Sequence, residues 1–288
     1  MYKYTLEPYK RCIRLNYASQ FHLDITPARH DLLRGGQCIL VPDRKILEWK
    51  ESNPVGFADW FDIQARMTKT ARYAKAIESL PEQESARQKA PLRRAVQLMK
   101  RHRDWAFEDD PDAPRSIVLT TLAGYHYGGE ELVTDALLGI LDGVITQVES
   151  TYGIIEVPNP ANHPEKFCEA WAANPKAYGT FVDYLYNFRS QVRDLLPKHG
   201  VPTIAEGLNQ LFGESLTKRA VASFTEKFER NRQAGLVGFS KNNVGLAVTP
   251  ASAALVTRFV PRNTFHGDYS GLPSDRIQGL PKRPKSPG

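Results

Sequence analysis

Apolar and polar positions alternate along the first fifty residues. In FHLDIT (21–26) the apolar residues stand at 21, 23 and 25, which is the two-residue period of a strand with one buried face. RCIRLNY (11–17) has the same period, and the short ASQ segment between the two predicts a hairpin. A third strand, QCILVPD (37–43), is predicted to end at Pro42, because proline has no backbone N–H to pair.

From Phe57 onward the apolar spacing becomes that of helices. GFADWFDIQARMTKTARYAKAI (56–77) predicts a helix, and so does PLRRAVQLMKRHRDWAF (91–107), where Pro91 occupies a favoured first-turn position. Further helices are predicted at 130–150, 176–196 and 215–231. Strands followed by a long helical part indicate an α+β fold. The expected buried stripe of the first helix comprises Phe57, Trp60, Phe61, Ile63 and Met67.

One segment, SIVLTTLAGYHYG (116–128), is compatible with either kind of element. Its β-branched residues favour a strand, whereas Ser116 as an N-cap and Gly128-Gly129 as a stop favour a helix. Thr120 and Thr121 either face a ligand or only fill space.

Composition narrows the functional classes. The 288 residues are 41% hydrophobic and 24% charged, as in ordinary globular proteins, and no apolar run approaches the roughly 18 residues of a membrane span. The three cysteines, at 12, 38 and 168, fit neither a zinc motif nor a disulfide framework, which favours a reducing cytoplasm.

Of the net charge of +6, much lies at 93–103 and 276–288, which favours anionic partners such as nucleotides, nucleic acid or phosphate. Membrane binding is not expected, and the Gly- and Pro-rich tail after Phe265 is predicted to be disordered.

Four motifs in order carry a resemblance to a known family. FHLDITPA, then VPDR with W and SNPVGFADWF, then PLRRAVQLMKRHRD, then SIVLTTLAG resemble the bacterial cyclic-oligonucleotide synthases of anti-phage defence. These are relatives of cyclic GMP-AMP synthase and oligoadenylate synthase among the polymerase-β-like nucleotidyltransferases. NHPEKFCEAWAANPKAYGTFVDYL and LNQLFGE are similar to the same family's helical lobe, so the resemblance covers roughly residues 11–262.

The resemblance implies a fold and a metal site. It implies part of a nucleotidyltransferase sheet at 1–58, a helical nucleotide-binding lobe at 59–265 and a basic tail at 266–288. In the family, three carboxylates hold two Mg²⁺ (or Mn²⁺) ions about 3.5–4 Å apart, which activate the attacking hydroxyl and neutralise the leaving pyrophosphate. Asp24 in LDITP matches the third carboxylate, as catalytic residue and metal ligand. The structural alternative is an ion pair with Arg14 or Arg29 at a sheet edge, and His22 on the same face is expected to be structural.

The resemblance also implies substrate contacts in the helical part. Lys100 matches a lysine that steadies the donor triphosphate as a point charge, and Ser116 matches a hydroxyl that meets the same phosphates. Arg103 and Arg94 are weaker candidates, and Arg101 is expected to face water. The alternatives are a solvated basic helix face and a simple N-cap. Ile117 stands where some relatives carry a base-stacking tyrosine.

The first two carboxylates have no counterpart in this sequence. The family's Gly-Ser turn with Asp-x-Asp is absent before residue 24, so the chain is expected to begin inside the catalytic core, to bind NTP weakly and to make no cyclic nucleotide. The complete protein is expected to make a cyclic di- or trinucleotide second messenger from NTPs. Two alternatives stay open: a non-catalytic remnant or regulatory protein that binds nucleotide or nucleic acid, and a nucleotidyltransferase acting on RNA or a small molecule.

Partners beyond NTPs follow from the resemblance alone. Regulatory or conjugation proteins of the same defence operon are expected candidates, since some family operons carry ubiquitin-like conjugation enzymes that join the synthase C-terminus to other molecules. The chain-terminal Gly288 is sterically suited to such a conjugation.

Overall fold

The computed structural model describes residues 4–9, 11–17, 21–44, 47–67, 89–108, 110–235, 237–239 and 246–248. The tail after Phe265 and residues 68–77 of the first predicted helix therefore lie outside the described residues. The strands are β1 Tyr4–Pro8, β2 Ile13–Tyr17, β3 Phe21–Ile25, β4 Arg29–His30, β5 Ile39–Asp43, β6 Glu48–Ser52, β7 Pro158–Asn159, β8 Asn162–Lys166, β9 Val237–Phe239 and β10 Leu246–Val248.

The predicted hairpin is confirmed and forms part of a larger sheet. The order is β1-β2-β3, all antiparallel, and Arg14 pairs directly with Asp24. Alternation places apolar residues on one face and polar residues, including Asp24, on the other. The apolar face keeps large exposed side chains: Leu6, Ile13, Leu23 and Ile25.

A second antiparallel sheet has the order β4-β5-β6. The prediction that Pro42 ends its strand is wrong, because β5 continues to Asp43 and Pro42 lies opposite Trp49. β5 lies between β4 and β6, but β4 spans only Arg29–His30 and pairs with Leu40 and Ile39, so no ladder hydrogen bond on that side requires an N–H from Pro42. Gly35 and Gly36, both with positive φ, form the turn before β5.

The helices are α1 Pro54–Arg66, α2 Pro91–Phe107, α3 Ser116–His126, α4 Val133–Ser150, α5 Glu169–Ala173, α6 Pro175–Leu195, α7 Val201–Phe212 and α8 Glu214–Gln233. Both ends of α2 are as predicted. The ambiguous segment is the helix α3. Helices α5 and α7 were not among the predicted elements.

The helix α1 begins where Asn53 accepts a hydrogen bond from the Gly56 N–H, an N-cap that closes the first turn. The predicted buried stripe is wrong at its far end, since Ile63 is 62% and Met67 39% exposed. Among the described residues, α1 contacts α2 and α3, and these two helices leave Ile63 and Met67 uncovered. Phe57, Trp60 and Phe61 are half-buried, as expected for that side.

The core lies among the helices, around α2. Its apolar side packs as the periodicity predicts, with Leu92, Ala95 and Met99 fully buried. The phenolic O–H of Tyr184 on α6 donates to the Met99 carbonyl at 3.1 Å, which satisfies a buried polar group between two helices. The other fully buried side chains come mainly from α3, α4 and α6: Leu119, Leu122, Ile140, Leu141, Phe181, Leu185 and Phe188.

The hairpin β7-β8 joins the strand segment to the helical part through polar contacts. Arg34 donates to Asn162, the Asn53 amide donates to the Ala161 carbonyl at 3.2 Å, and the Ser52 hydroxyl of β6 donates to Glu165 of β8 at 3.4 Å. Beside the hairpin, Lys50 of β6 pairs with Glu169 of α5 at 3.2 Å. These contacts fix β6 beside β8.

Two compact units divide between Val221 and Ala222, inside α8. The second contains the end of α8, where Phe224 stacks on Phe228, and the antiparallel pair β9-β10. No described helix is long and apolar enough to cross a membrane. The cysteines at 12, 38 and 168 are all unpaired.

The buried His102 predicts a pH-dependent stability. Its ring stacks on Phe188 at 3.8 Å, and burial lowers the pKa of His102 to about 4. The unfolded chain, with the ordinary histidine pKa near 6.5, therefore binds more protons than the folded chain between these values. The free energy of unfolding falls as the pH falls through this window, by about 2.5 kcal/mol for this group between about pH 7.5 and 4.5.

The measurement is urea unfolding across that pH range for the parent and for His102→Phe, which cannot titrate. The variant should lose the histidine component of the pH slope, whereas replacing the exposed His199 by Gln should keep it. Equal slopes for parent and His102→Phe would contradict the assignment.

The side chain of Arg101 predicts a second stability effect. Contrary to the expectation that it faces water, its Nε and Nη2 donate to the Phe212 carbonyl at 3.2 and 2.8 Å, at the C-terminal end of α7. Arg101→Ala should lower the free energy of unfolding by about 1–2 kcal/mol, because a charged donor at a helix C-terminus is lost. Arg94→Ala, exposed on the same helix, should change it by less than about 0.5 kcal/mol. Chemical denaturation compares the two, and similar losses would refute the distinction.

Candidate functional site

Asp24 lies on the polar face of the β1-β2-β3 sheet and is bound by Arg14. The Arg14 Nε donates to Oδ1 at 2.7 Å and Nη2 donates to Oδ2 at 2.9 Å, a bidentate pair across β2 and β3. These hydrogen bonds hold the pKa of Asp24 below its ordinary value, and they raise the pKa of Arg14. The Arg14 guanidinium also lies 4.2 Å from the centroid of the Tyr9 ring. The pair with Arg14 is one of the two structural alternatives that the sequence left open.

The two-metal site that the resemblance implies is not complete within the described part of the chain. Both Asp24 oxygens accept hydrogen bonds from Arg14. No group of three or more His, Cys, Asp or Glu residues in the described ranges is arranged to hold a metal ion. Mg²⁺ binds proteins through carboxylates supplemented by phosphates and waters. A single carboxylate that is already bound by an arginine therefore binds Mg²⁺ poorly. The described residues do not by themselves fit two Mg²⁺ ions.

Lys100 lies on α2, half-buried, without a carboxylate at ion-pair distance among the described side chains. Burial, and next the charge of Arg103, lower the pKa of Lys100, while Asp104 acts weakly in the opposite direction. An ammonium group that is partly desolvated and lies near a second cation is stabilised by an anion brought close to it.

Arg103 connects α2 to the loop that enters α3. Its Nη1 donates to the Pro114 carbonyl at 3.3 Å, and its Nη2 is bound by Asp104. The guanidinium is thereby held, while its Nε is buried without a partner among the described atoms. Arg103 therefore acts first as a link between two elements.

Ser116 is the first residue of α3, and the expectation that it is the N-cap is wrong. Arg115 has the extended conformation of the cap position, without a side-chain capping bond. The Val118 and Leu119 N–H groups donate to the Arg115 carbonyl, so those of Ser116 and Ile117 precede the first intrahelical bond. Free N–H groups at a helix start favour an anion.

The structure thus connects some predicted site residues and separates others. Arg103 links the α2 surface that carries Lys100 to the loop before Ser116, whereas the described contacts of Asp24 are with Arg14. Arg93 pairs with Asp62 on α1 at 2.6 Å. Thr120 and Thr121 are buried, and their hydroxyls donate to the carbonyls four residues earlier, so they fill space. His22 is exposed beside Asp24.

One contributor was missed from the sequence: the Pro114 carbonyl as the acceptor for Arg103, which no sequence signal identifies. Arg14 was one of the two partners expected for Asp24, beside Arg29. The hairpin register favours Arg14, because two strands joined by a short turn set it opposite Asp24.

The chain is similar in sequence to named synthases, although a scan against protein-family models finds no match. It is 32% identical over 277 residues to a c-di-GMP synthase of Roseivirga ehrenbergii, covering 93% of this chain and 71% of that protein. It is 24% identical over 275 residues to the cyclic dinucleotide synthase CdnG of Bradyrhizobium diazoefficiens, covering 85% of this chain and 65% of that one.

Solved structures share the fold. CdnG in complex with GTP has a TM-score of 0.58 at 24% identity, covering 77% of this chain and 69% of its own. Vibrio cholerae DncV, a cyclic AMP-GMP synthase in complex with a linear intermediate, has a TM-score of 0.53 at 15% identity, covering 73% and 52%. These matches confirm the α+β nucleotidyltransferase fold. Together with the sequence identity to the c-di-GMP synthase, they show that this chain belongs to the family of cyclic dinucleotide synthases, which are nucleotidyltransferases.

Proposed function

We propose that this chain binds a nucleoside triphosphate at the α2–α3 surface and serves the synthesis of a cyclic di- or trinucleotide signal in anti-phage defence. The proposal rests on Lys100, which is half-buried and has no carboxylate at ion-pair distance among the described side chains. Arg103 binds the Pro114 carbonyl in the loop directly before α3, and so connects the surface around Lys100 to the start of that helix. The backbone N–H groups of Ser116 and Ile117 at this start have no intrahelical acceptor. Triphosphate oxygens would offset the desolvation of the ammonium and accept hydrogen bonds from the helix start and the Ser116 hydroxyl.

The roles within the site differ by residue. Lys100 and Ser116 are proposed to contact phosphate. Arg103 is proposed to hold the loop before α3 in place, with its remaining N–H groups near the substrate. Asp24 is proposed as one ligand of a Mg²⁺ or Mn²⁺ site, a role supported by the motif resemblance alone, since the described residues supply no second or third ligand. GTP is the first nucleotide to test, because relatives include a protein named c-di-GMP synthase and a CdnG structure with GTP.

One observation favours the alternative of a non-catalytic nucleotide-binding protein: the only described partner of the Asp24 carboxylate is a guanidinium. Incubating the purified chain with labelled NTPs and Mg²⁺ or Mn²⁺ separates the proposals. A cyclic product lost in Asp24→Asn supports synthesis, whereas nucleotide binding without product supports the alternative. Transfer that requires added RNA or a small acceptor supports a nucleotidyltransferase of another substrate class. The unpaired cysteines favour a cytoplasmic location for any of them.

The substitution Lys100→Ala tests the nucleotide site itself, independently of catalysis. It should raise the Kd for GTP about tenfold or more, since a hydrogen-bonded ion pair to phosphate contributes about 1.5–3 kcal/mol. Arg94, a weaker candidate from the sequence, is exposed and lies six residues before Lys100, so it points about 120° away from it around the helix. Arg94→Ala should therefore change the Kd less than about twofold. Arg101 is unsuitable as the control because it binds α7. Calorimetric titration of both variants makes the comparison, and equal losses of affinity would contradict the proposed role of Lys100.

A further inference from the structure

A cavity of about 360 Å³ lies on the side of the helical part formed by α2, α6 and the end of α7. Four α2 side chains line it: His102, Trp105, Ala106 and Phe107. At about 100° and 1.5 Å per residue, the first three point about 140–240° away from Lys100, whereas Phe107 points in nearly the same direction as Lys100 but lies about 10 Å further along the helix. The cavity is therefore distinct from the proposed nucleotide surface, and its properties do not depend on that proposal.

The charged groups lining the cavity are of one sign. Asp110 and Asp183 are the ionised side chains in its wall, and it is lined by no lysine or arginine within the described residues. Neither carboxylate forms an ion pair with a described side chain. Asp110 accepts one hydrogen bond, from the Asp112 N–H at 2.8 Å, and Asp183 is exposed on α6. In a chain of net charge +6 this is an unusual local excess of negative charge.

The end of α2 adds to that negative potential. The C-terminal end of a helix favours cations, yet the last turn of α2 carries no basic residue and is followed by Glu108 and Asp110. The negative end of the helix and the nearby carboxylates repel one another, and a cation bound here would reduce that repulsion.

Aromatic and buried groups complete the wall. Trp105 is 41% exposed, and it is fixed by its indole N–H, which donates to the Gln210 carbonyl at 2.9 Å, and by contact with Gly213. His102 is only 3% exposed, and its Nδ1 has no partner. With the Gln191 Oε1 as acceptor for Nε2 at 3.3 Å, Nδ1 keeps an acceptor lone pair. The wall thus combines an aromatic surface with carboxylates, and an unused acceptor lies buried behind it.

We propose that this cavity binds an organic cation, a guanidinium or alkylammonium group, between Trp105 and the carboxylates of Asp110 and Asp183. The cation stacks on or approaches the indole face, and its N–H groups donate to the carboxylates. Such a group comes either from a free small molecule or from an arginine side chain of a partner protein. The chemistry recognised is the same for both.

The test follows the Trp105 indole N–H resonance in ¹H–¹⁵N spectra of the ¹⁵N-labelled chain, assigned with Trp105→Phe. Titration with ethylguanidinium should shift this resonance saturably, whereas ethylurea, similar in shape but uncharged, should not. Asp183→Asn should weaken binding about fivefold, while Asp194→Asn, an exposed aspartate on the same helix outside the cavity, should not change it. A linear shift, an equal response to ethylurea, or equal effects of the two variants would overturn the proposal.

A second arm distinguishes the sources. Acetyl-Gly-Arg-Gly-amide and agmatine are titrated under the same conditions. Saturation by the peptide alone assigns the cavity to a protein-borne arginine, and saturation by agmatine alone assigns it to a small molecule. If neither compound saturates, the proposal is overturned, even where ethylguanidinium shifts the resonance.

Discussion

The packing of α2 on several neighbours is the constraint on which the rest of the structure depends. Leu92, Ala95 and Met99 are excluded from water, and α2 contacts α3, α4 and α7. A helix held this way has no freedom to rotate, so each polar side chain is committed to one direction. Arg101 is directed to the end of α7, and Lys100 is left half-buried with Arg103 nearby. The proposed nucleotide surface and the proposed cation cavity use different parts of this one helix: His102, Trp105 and Ala106 point away from Lys100 into the cavity.

The sequence predicted elements well where local signals agreed. Both ends of α2 were predicted because Pro91 marks its start and a continuous apolar period runs to Phe107. The helix α3 stayed ambiguous because its β-branched residues pack equally well in a buried strand, and only tertiary contacts decide. The outer part of α1 was predicted as buried because periodicity identifies an apolar face without showing whether another element covers it; Ile63 remains exposed.

The sequence predicted which residues to consider as site residues, but it did not predict most of the contacts that they make. The alternation around Asp24 placed it on a polar sheet face, and the motif resemblance gave it a role, but its partner depends on a hairpin register that the sequence did not fix uniquely. Arg101 and Arg103 show the same limit. Both belong to a basic run that is equally consistent with solvent exposure, and their acceptors, the carbonyls of Phe212 and Pro114, are backbone atoms that carry no side-chain signal. Backbone acceptors are set by the fold alone.

The central proposal is that Lys100, a half-buried lysine, binds a phosphate group of the nucleotide. The most direct measurement is the titration of its side-chain resonances by NMR, assigned with Lys100→Arg, without and with saturating GTP. The account predicts a pKa for Lys100 below that of the exposed lysines in the free chain, because burial and Arg103 disfavour its charge. GTP should raise it, since triphosphate favours the ammonium form. A Lys100 pKa that starts at the ordinary value and does not respond to GTP would contradict the account.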